Sequence, residues 1–277
     1  MSAATSVEEW SGKDRADENF PVGFLIRRDL RAHVHAFYAF ARNADDIADS
    51  PTLTPDDKIS RLNVMEDVLL GRSEKGSPSA LTLRESLAAT GVTSNHATDL
   101  LIAFRRDATT NRYESWEALW VYCRYSAMPV GRHVLDLHRE NPETYPPSDA
   151  LCVSLQVLNH LQDSANDLAA LDRSYLPLDM LTEAGAKPED VRGITETHGL
   201  RVVFDKLLNE VDTLNRTALD LPRRTRDRRL RLETAVIVNL AHRLARHLRT
   251  GDPIATRVKL SKGDAVLSLL AALRFLP

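Results

Sequence analysis

Apolar residues in this chain return at intervals of three and four, and that spacing restricts it to helices. Leu30, Val34, Phe37, Ala41, Ala44 and Ala48 step by four and three, as one face of a 3.6-residue helix requires. Trp116, Trp120 and Cys123 repeat the pattern, and so do Leu151, Leu155, Leu158 and Leu161. No polar/apolar alternation of six residues or more marks a strand, and no segment repeats at a fixed period. The fold class is therefore all-α. Asp29 is placed to cap the first helix, and Ser50-Pro51 to end it. Helices are expected over 56–70, 81–89 and 94–106, with 71–80 a loop. The Trp116 helix should kink or break at Met128-Pro129-Val130-Gly131. A proline-interrupted connection spans 141–147, the Leu151 helix breaks near Leu176-Pro177, and 185–188 is a Gly/Pro connection. Helices over 189–198, 200–220, 225–249 and 263–275 complete the chain. No long polar linker divides it. A flexible segment 1–16 followed by an all-helical domain 17–277 is the simplest organisation.

Composition excludes several classes. At 277 residues, 43% hydrophobic and 27% charged, the chain can bury a large core with room for a cavity. Its formal charge of −3 is a poor footprint for nucleic acid. Two cysteines, Cys123 and Cys152, make neither a disulfide framework nor a thiolate metal site, and favour a reducing cytoplasm. Residues 1–19 carry no apolar targeting core. The longest apolar run, Ala265 to Leu273, is too short to span a bilayer; it either docks on the domain or lies at an interface.

The informative residues are acidic. Asp45 and Asp49 stand four apart, on one helix face and about 6 Å apart along the axis. Like charges at that spacing repel, so a cation or solvent must offset the pair. Tyr38, Arg42, Asp45 and Asp49 form a polar stripe beside the apolar one. A second stripe, Gln156, Asn159, Asp163 and Asp167, has nearly the same construction. If the two helices face each other, four carboxylates converge on one cavity. Mg²⁺ suits such a site, because it accepts carboxylate oxygens, keeps several waters and bridges to phosphate. It would neutralise a diphosphate leaving group as its C–O bond breaks. A solvated helix face or a structural ion-pair network leaves the same spacing, and periodicity alone keeps these readings open.

With their surroundings, these motifs resemble the squalene/phytoene synthase family. The resemblance covers about residues 17–262 and rests on Glu18-Asn-Phe-Pro21, Asp45-Asp-Ile-Ala-Asp49, Tyr122-Cys-Arg-Tyr-Ser-Ala-Met-Pro-Val-Gly131, Asn159-His-Leu-Gln-Asp163, Asp163-Ser-Ala-Asn-Asp167 and Arg173-Ser-Tyr-Leu-Pro177. It implies a single-domain isoprenoid synthase fold around a central apolar cavity, with 17–277 as the trans-isoprenyl diphosphate synthase-like domain. Members that condense two prenyl diphosphates usually carry Arg or Lys before the second motif and often Glu before its last Asp. Gln162 and Asn166 stand there instead, which resembles the hydroxysqualene synthase subgroup of bacterial hopanoid and squalene biosynthesis. That likeness implies a Mg²⁺-dependent lyase that turns presqualene diphosphate and water into hydroxysqualene and diphosphate. Asp45, Asp49, Asp163 and Asp167 would hold the metal, Tyr38, Tyr122 and Asn159 would join them in catalysis, and Arg42, Gln156 and Tyr175 would contact substrate. Presqualene diphosphate synthase and a hydroxysqualene-processing enzyme are the implied neighbours. The alternative is a squalene, dehydrosqualene or phytoene synthase that condenses two prenyl diphosphates. A silent isoprenoid-binding scaffold is the reading from a different class.

Other features weigh less. His33 and His35, two apart, do not share a helix face and make no metal pair; His242 and His247 read as a mixed surface. Cys123 reads as a packed small hydrophobe. Six arginines, at 223, 224, 226, 228, 229 and 231, are a solvated helix start or a patch for anionic lipid. By the resemblance, basic residues near Arg257, Lys259 and Lys262 close over diphosphate.

Overall fold

The computed structural model describes residues 6–8 and 25–275; Glu18-Asn-Phe-Pro21 and most of segment 1–16 lie outside the described residues. Among those described the secondary structure is helical, without strands. In chain order the helices are α1 (Arg31–Asp49), α2 (Pro55–Leu69), α3 (Pro78–Thr90), α4 (Asn95–Asp107), α5 (Trp116–Ser126), α6 (Met128–Leu137), α7 (Tyr145–Leu171), α8 (Leu178–Glu183), α9 (His198–Ala218), α10 (Leu221–Arg224), α11 (Arg228–Thr250) and α12 (Lys262–Ala272). Thr54, Ser77, Ser115, Thr197, Asp227 and Ser261 cap α2, α3, α5, α9, α11 and α12 by accepting from backbone N–H groups of the first turn, which satisfies donors the helix leaves open.

Several elements differ from the sequence reading, and α3 starts at Pro78, inside the stretch expected as a loop. Asp29 does not cap α1; it accepts from Arg27, and Leu30 takes the cap position. α7 begins at Tyr145 because Pro146 and Pro147 fall in its first turn, where a missing N–H does no harm. It ends at Leu171, before Leu176-Pro177, because Asp172 turns left-handed at φ 50°. The helix expected over 189–198 is a short 3₁₀ turn, Pro188–Arg192, followed by bends. The break before Pro129 occurs as expected, between α5 and α6.

Two apolar clusters position the site. One joins α1 to α4 through Phe40, Ile47, Leu62, Met65, Leu83 and Leu101, all fully buried. The other gathers α5 to α11 around Val153, Leu158, Phe204, Leu207, Leu208 and Leu244. Each such side chain stabilises the fold by roughly 1.5–3 kcal/mol. α1 packs on α3 and α4, and α7 packs on α6, α9 and α11. Their acidic stripes are left to face a gap between the clusters. Gly131 permits the close approach of α6 to α7: a Cβ there would stand 2.5 Å from Ser148 Oγ and 2.6 Å from Cys152 Sγ.

Candidate active site

The gap is a cavity of about 280 Å³ lined by Asp45, Asp49, Tyr122, Gln156, Asn159, Asp163, Asp167 and Tyr175, all singled out in the sequence. The stripes of α1 and α7 thus meet across one space. Phe104, Asp107, Ser126, His160, Leu171 and Arg173 complete the lining. Tyr38 and Arg42 do not belong to it. Arg42 folds back along α1 onto Asp45, at 3.1 Å, and Asp46, at 3.4 Å. Its expected contact with substrate would require it to leave these partners.

Five aspartates against one arginine line this space, and their electrostatics follow. Asp45 is half-buried beside Asp49, and burial together with that like charge pushes its carboxyl up to about 8. Such a group is short of positive charge. Arg173 supplies the cation on the opposite wall. It donates to Asp49 Oδ1 at 3.0 Å, to the Tyr175 hydroxyl at 3.2 Å and to the Asp107 carbonyl at 3.0 Å, and is itself buried. Asp107 is buried next to it, accepts from the Tyr122 hydroxyl at 3.0 Å, and is pushed up to about 7 by burial, which outweighs the attraction of Arg173. On the α7 side, Arg257 grips both oxygens of Asp163 at 2.8 Å. Gln162 Nε2 donates to the Val258 carbonyl at 2.5 Å. These two contacts tie the non-helical strap 251–261 across α7, near the place expected for the C-terminal basic residues.

A box of rings stands beside the carboxylates. His160 stacks on Tyr175 with centroids 3.5 Å apart and planes at 15°. Tyr175 is 5.5 Å from Tyr122, and Tyr113 lies 5.2 Å from Tyr122 and 5.6 Å from Tyr175. Burial lowers the His160 imidazole to about 3 and raises the Tyr122 and Tyr175 phenols well above their ordinary range. All three rings are neutral at physiological pH. Their faces offer quadrupole stabilisation to a cation without adding charge.

Hard oxygen donors on facing helices, one of them crowded enough to retain a proton near neutrality, fit a divalent cation such as Mg²⁺. The four motif aspartates share the cavity but are not gathered as a ligand cluster. Among the described residues, no three carboxylate, imidazole or thiol side chains are gathered closely enough to hold a metal ion. Asp49 and Asp163 are turned to Arg173 and Arg257 instead.

Sequence reasoning missed Asp107, and its signal was present. Leu100, Phe104 and Asp107 step by four and three, which puts the carboxylate on the buried face of α4. Arg173 lies in Arg173-Ser-Tyr-Leu-Pro177 and His160 in Asn159-His-Leu-Gln-Asp163, where spacing alone marks neither as functional. The remaining polar residues are structural. His33 Nδ1 meets Ser86 Oγ at 2.8 Å, and His247 is exposed, as a mixed surface requires, while meeting Asp264 at 3.2 Å. Cys123 is fully buried, and burial pushes the Cys152 thiol up to about 12, far from nucleophilic use.

Known proteins resemble this chain in sequence and fold. Residues 13–264 match the model of the squalene/phytoene synthase family. A hydroxysqualene synthase from Rhodopseudomonas palustris is 45% identical over 99% of this chain and 93% of its own length. One from Zymomonas mobilis is 42% identical over 98% and 92%. The crystal structure of squalene synthase HpnC from Alicyclobacillus acidocaldarius superimposes with a TM-score of 0.73 at 30% identity, covering 82% of this chain and 86% of that one. A family match over most of the chain, full-length relatives above 40% identity and a shared all-α fold agree: this chain belongs to the squalene/phytoene synthase family of enzymes.

Proposed function

We propose that this enzyme converts presqualene diphosphate and water to hydroxysqualene and diphosphate, a lyase step in squalene and hopanoid biosynthesis. The carrying observation is the cavity itself, where facing carboxylates stand beside a box of neutral rings. The carboxylates would take a metal-bound diphosphate, and the adjacent rings would face a carbocation. Asp45, Asp49, Asp163 and Asp167 would hold Mg²⁺, which supplies positive charge to the departing diphosphate.

The chain's own residues do the rest. Arg257 is placed to exchange Asp163 for a diphosphate oxygen, freeing that carboxylate as a ligand. Arg42 has the same choice at Asp45. As the C–O bond of the substrate breaks, its electron pair leaves with the diphosphate, and the rings of Tyr122, Tyr175 and His160 face the cyclopropylcarbinyl cation. Ring opening gives an allylic cation. A water held by polar groups of the lining, among them Gln156 and Asn159, forms the new C–O bond and gives up a proton to solvent. Tyr38 lies on the α1 stripe outside the cavity and would act only when substrate extends that far. The enzyme would work in the cytoplasm, taking substrate from presqualene diphosphate synthase and passing product to a hydroxysqualene-processing enzyme. No helix of the described residues is long and apolar enough to cross a membrane.

Incubation with presqualene diphosphate and Mg²⁺, without nicotinamide, tests the proposal. It predicts release of diphosphate and a C30 alcohol, with loss of both after Asp49→Asn or Asp163→Asn. Condensation of farnesyl diphosphate with no use of presqualene diphosphate would replace it with a squalene or dehydrosqualene synthase.

A further inference from the structure

Helix α12 is amphipathic in the reverse sense. Its inward stripe is Asp264, Ser268 and Ala272, spaced by four and all buried. Its outward side, with the turn that follows, is Val266, Leu267, Leu269, Leu270 and Leu273, each 45–58% exposed. At about 100° per residue these five cover an arc of roughly 160°, opposite the buried stripe. Nine large apolar side chains are exposed among the described residues, and five of them fall here; the patch is a property of this element and not scatter.

The helix is fastened by its polar side. Asp264 accepts from Ser261 Oγ at 2.7 Å and from the Ser261 N–H at 2.9 Å, and it meets His247 at 3.2 Å and Arg243 at 3.4 Å on α11. The leucines therefore point outward by construction. An apolar face of this kind marks an interaction surface.

Charge selects what covers it. Between Ala255 and Phe275 the exposed charged residues are Arg257, Lys259, Lys262 and Arg274, while Asp264 is buried and paired. Lys262 stands four residues before Val266 and Arg274 follows Leu273, so cations bracket the leucines in a chain whose net charge is −3. A second copy presenting the same face would set these cations against each other. An anionic bilayer suits both features: leucines enter the acyl boundary while cations stay at the phosphates. The arginine run is a poorer seat, because Arg223 and Arg224 pair with Asp220 and Arg231 is spent on the Thr225 carbonyl.

We propose that α12 seats this protein on an anionic bilayer through Val266, Leu267, Leu269, Leu270 and Leu273, with Lys259, Lys262 and Arg274 at the lipid phosphates. The strap that carries Arg257 to Asp163 runs directly into this helix, so the seat adjoins an element of the acidic cavity. The proposal stands independently of the reaction assigned above.

Vesicle flotation of the full chain tests it, with phosphatidylcholine alone and with about one third phosphatidylglycerol added. Binding is expected on the anionic vesicles and should weaken with salt. The double variant Leu267→Glu/Leu270→Glu should bind at least roughly a hundredfold more weakly. Lys259→Gln and Lys262→Gln should each lose about fivefold. These side chains are exposed, so an unchanged Tm confirms that the variants fold. Failure of the unaltered protein to bind anionic vesicles overturns the proposal, and so does equal binding by the double variant. A dimer that Leu270→Glu dissociates, without vesicle binding, would show that a second copy covers the face.

Discussion

Replacing Arg173 with methionine should damage this protein in a pH-dependent way. Methionine keeps much of the stem's volume and removes the guanidinium, which is buried and holds Asp49, the Tyr175 hydroxyl and the Asp107 carbonyl. Removing one partner of a buried ion pair costs about 3–5 kcal/mol. Asp49 is about one third open to the cavity, so solvent relieves part of that loss and about 3 kcal/mol is expected. That is a large share of the roughly 5–15 kcal/mol available to a folded protein. At about 2 °C per kcal/mol for a chain of this size, Tm should fall by roughly 6 °C. The pH dependence comes from Asp107, whose carboxyl sits at about 7 even with Arg173 attracting its ionised form. Without Arg173 the native state holds that proton to still higher pH, whereas the unfolded chain releases it near the ordinary value of about 3.9. Native and variant proteins both keep Asp107 protonated well below pH 7, so its share of the deficit is absent there. It opens as pH rises above 7. Thermal unfolding of both proteins in chelator, followed by circular dichroism from pH 6 to pH 9, measures this directly. A deficit constant across that range would refute the placement of Asp107 and Arg173 in one electrostatic unit.

Three further outcomes follow from particular contacts. Gln162→Glu puts an acceptor against the Val258 carbonyl that Gln162 now serves as donor; the strap 251–261 should loosen, seen as faster limited proteolysis there and a higher KM for diphosphate substrate. Burial holds His133 at about 3, stacked 3.9 Å from Phe37 with neither ring nitrogen hydrogen-bonded. Its folded value lies below the unfolded one, so its contribution is full above about pH 6.5 and declines as pH falls toward 3, by about 3 kcal/mol at pH 4; His133→Phe should flatten the acid limb of a Tm-against-pH curve. Gly131→Ala would press a methyl onto Ser148 and Cys152 of α7, and denaturant unfolding should show a loss of about 1–3 kcal/mol.

The acidic centre was legible in the sequence because a helix maps spacing onto direction. Asp45 with Asp49, and Asp163 with Asp167, are each four apart, and the helices that carry them do face one cavity. Pro129 marked the α5–α6 break for an equally local reason. What escaped was set by tertiary packing. Asp107 follows two arginines and reads as surface, yet it ends an inward stripe of α4. Arg173 becomes central only when three elements converge on it. α12 was open between docking on the domain and lying at an interface, and only tertiary contacts decide it: Asp264 and its partners on α11 set which side is buried.

Under the proposed function, water and not a hydride ends the reaction of a presqualene cation in this cavity. Turnover of presqualene diphosphate with Mg²⁺ in oxygen-18 water, with the C30 product read by mass spectrometry, tests it most directly. An alcohol carrying the heavy oxygen is expected, formed whether or not a reduced nicotinamide is present. An unlabelled alcohol, or a hydrocarbon formed only with the nicotinamide, would contradict it.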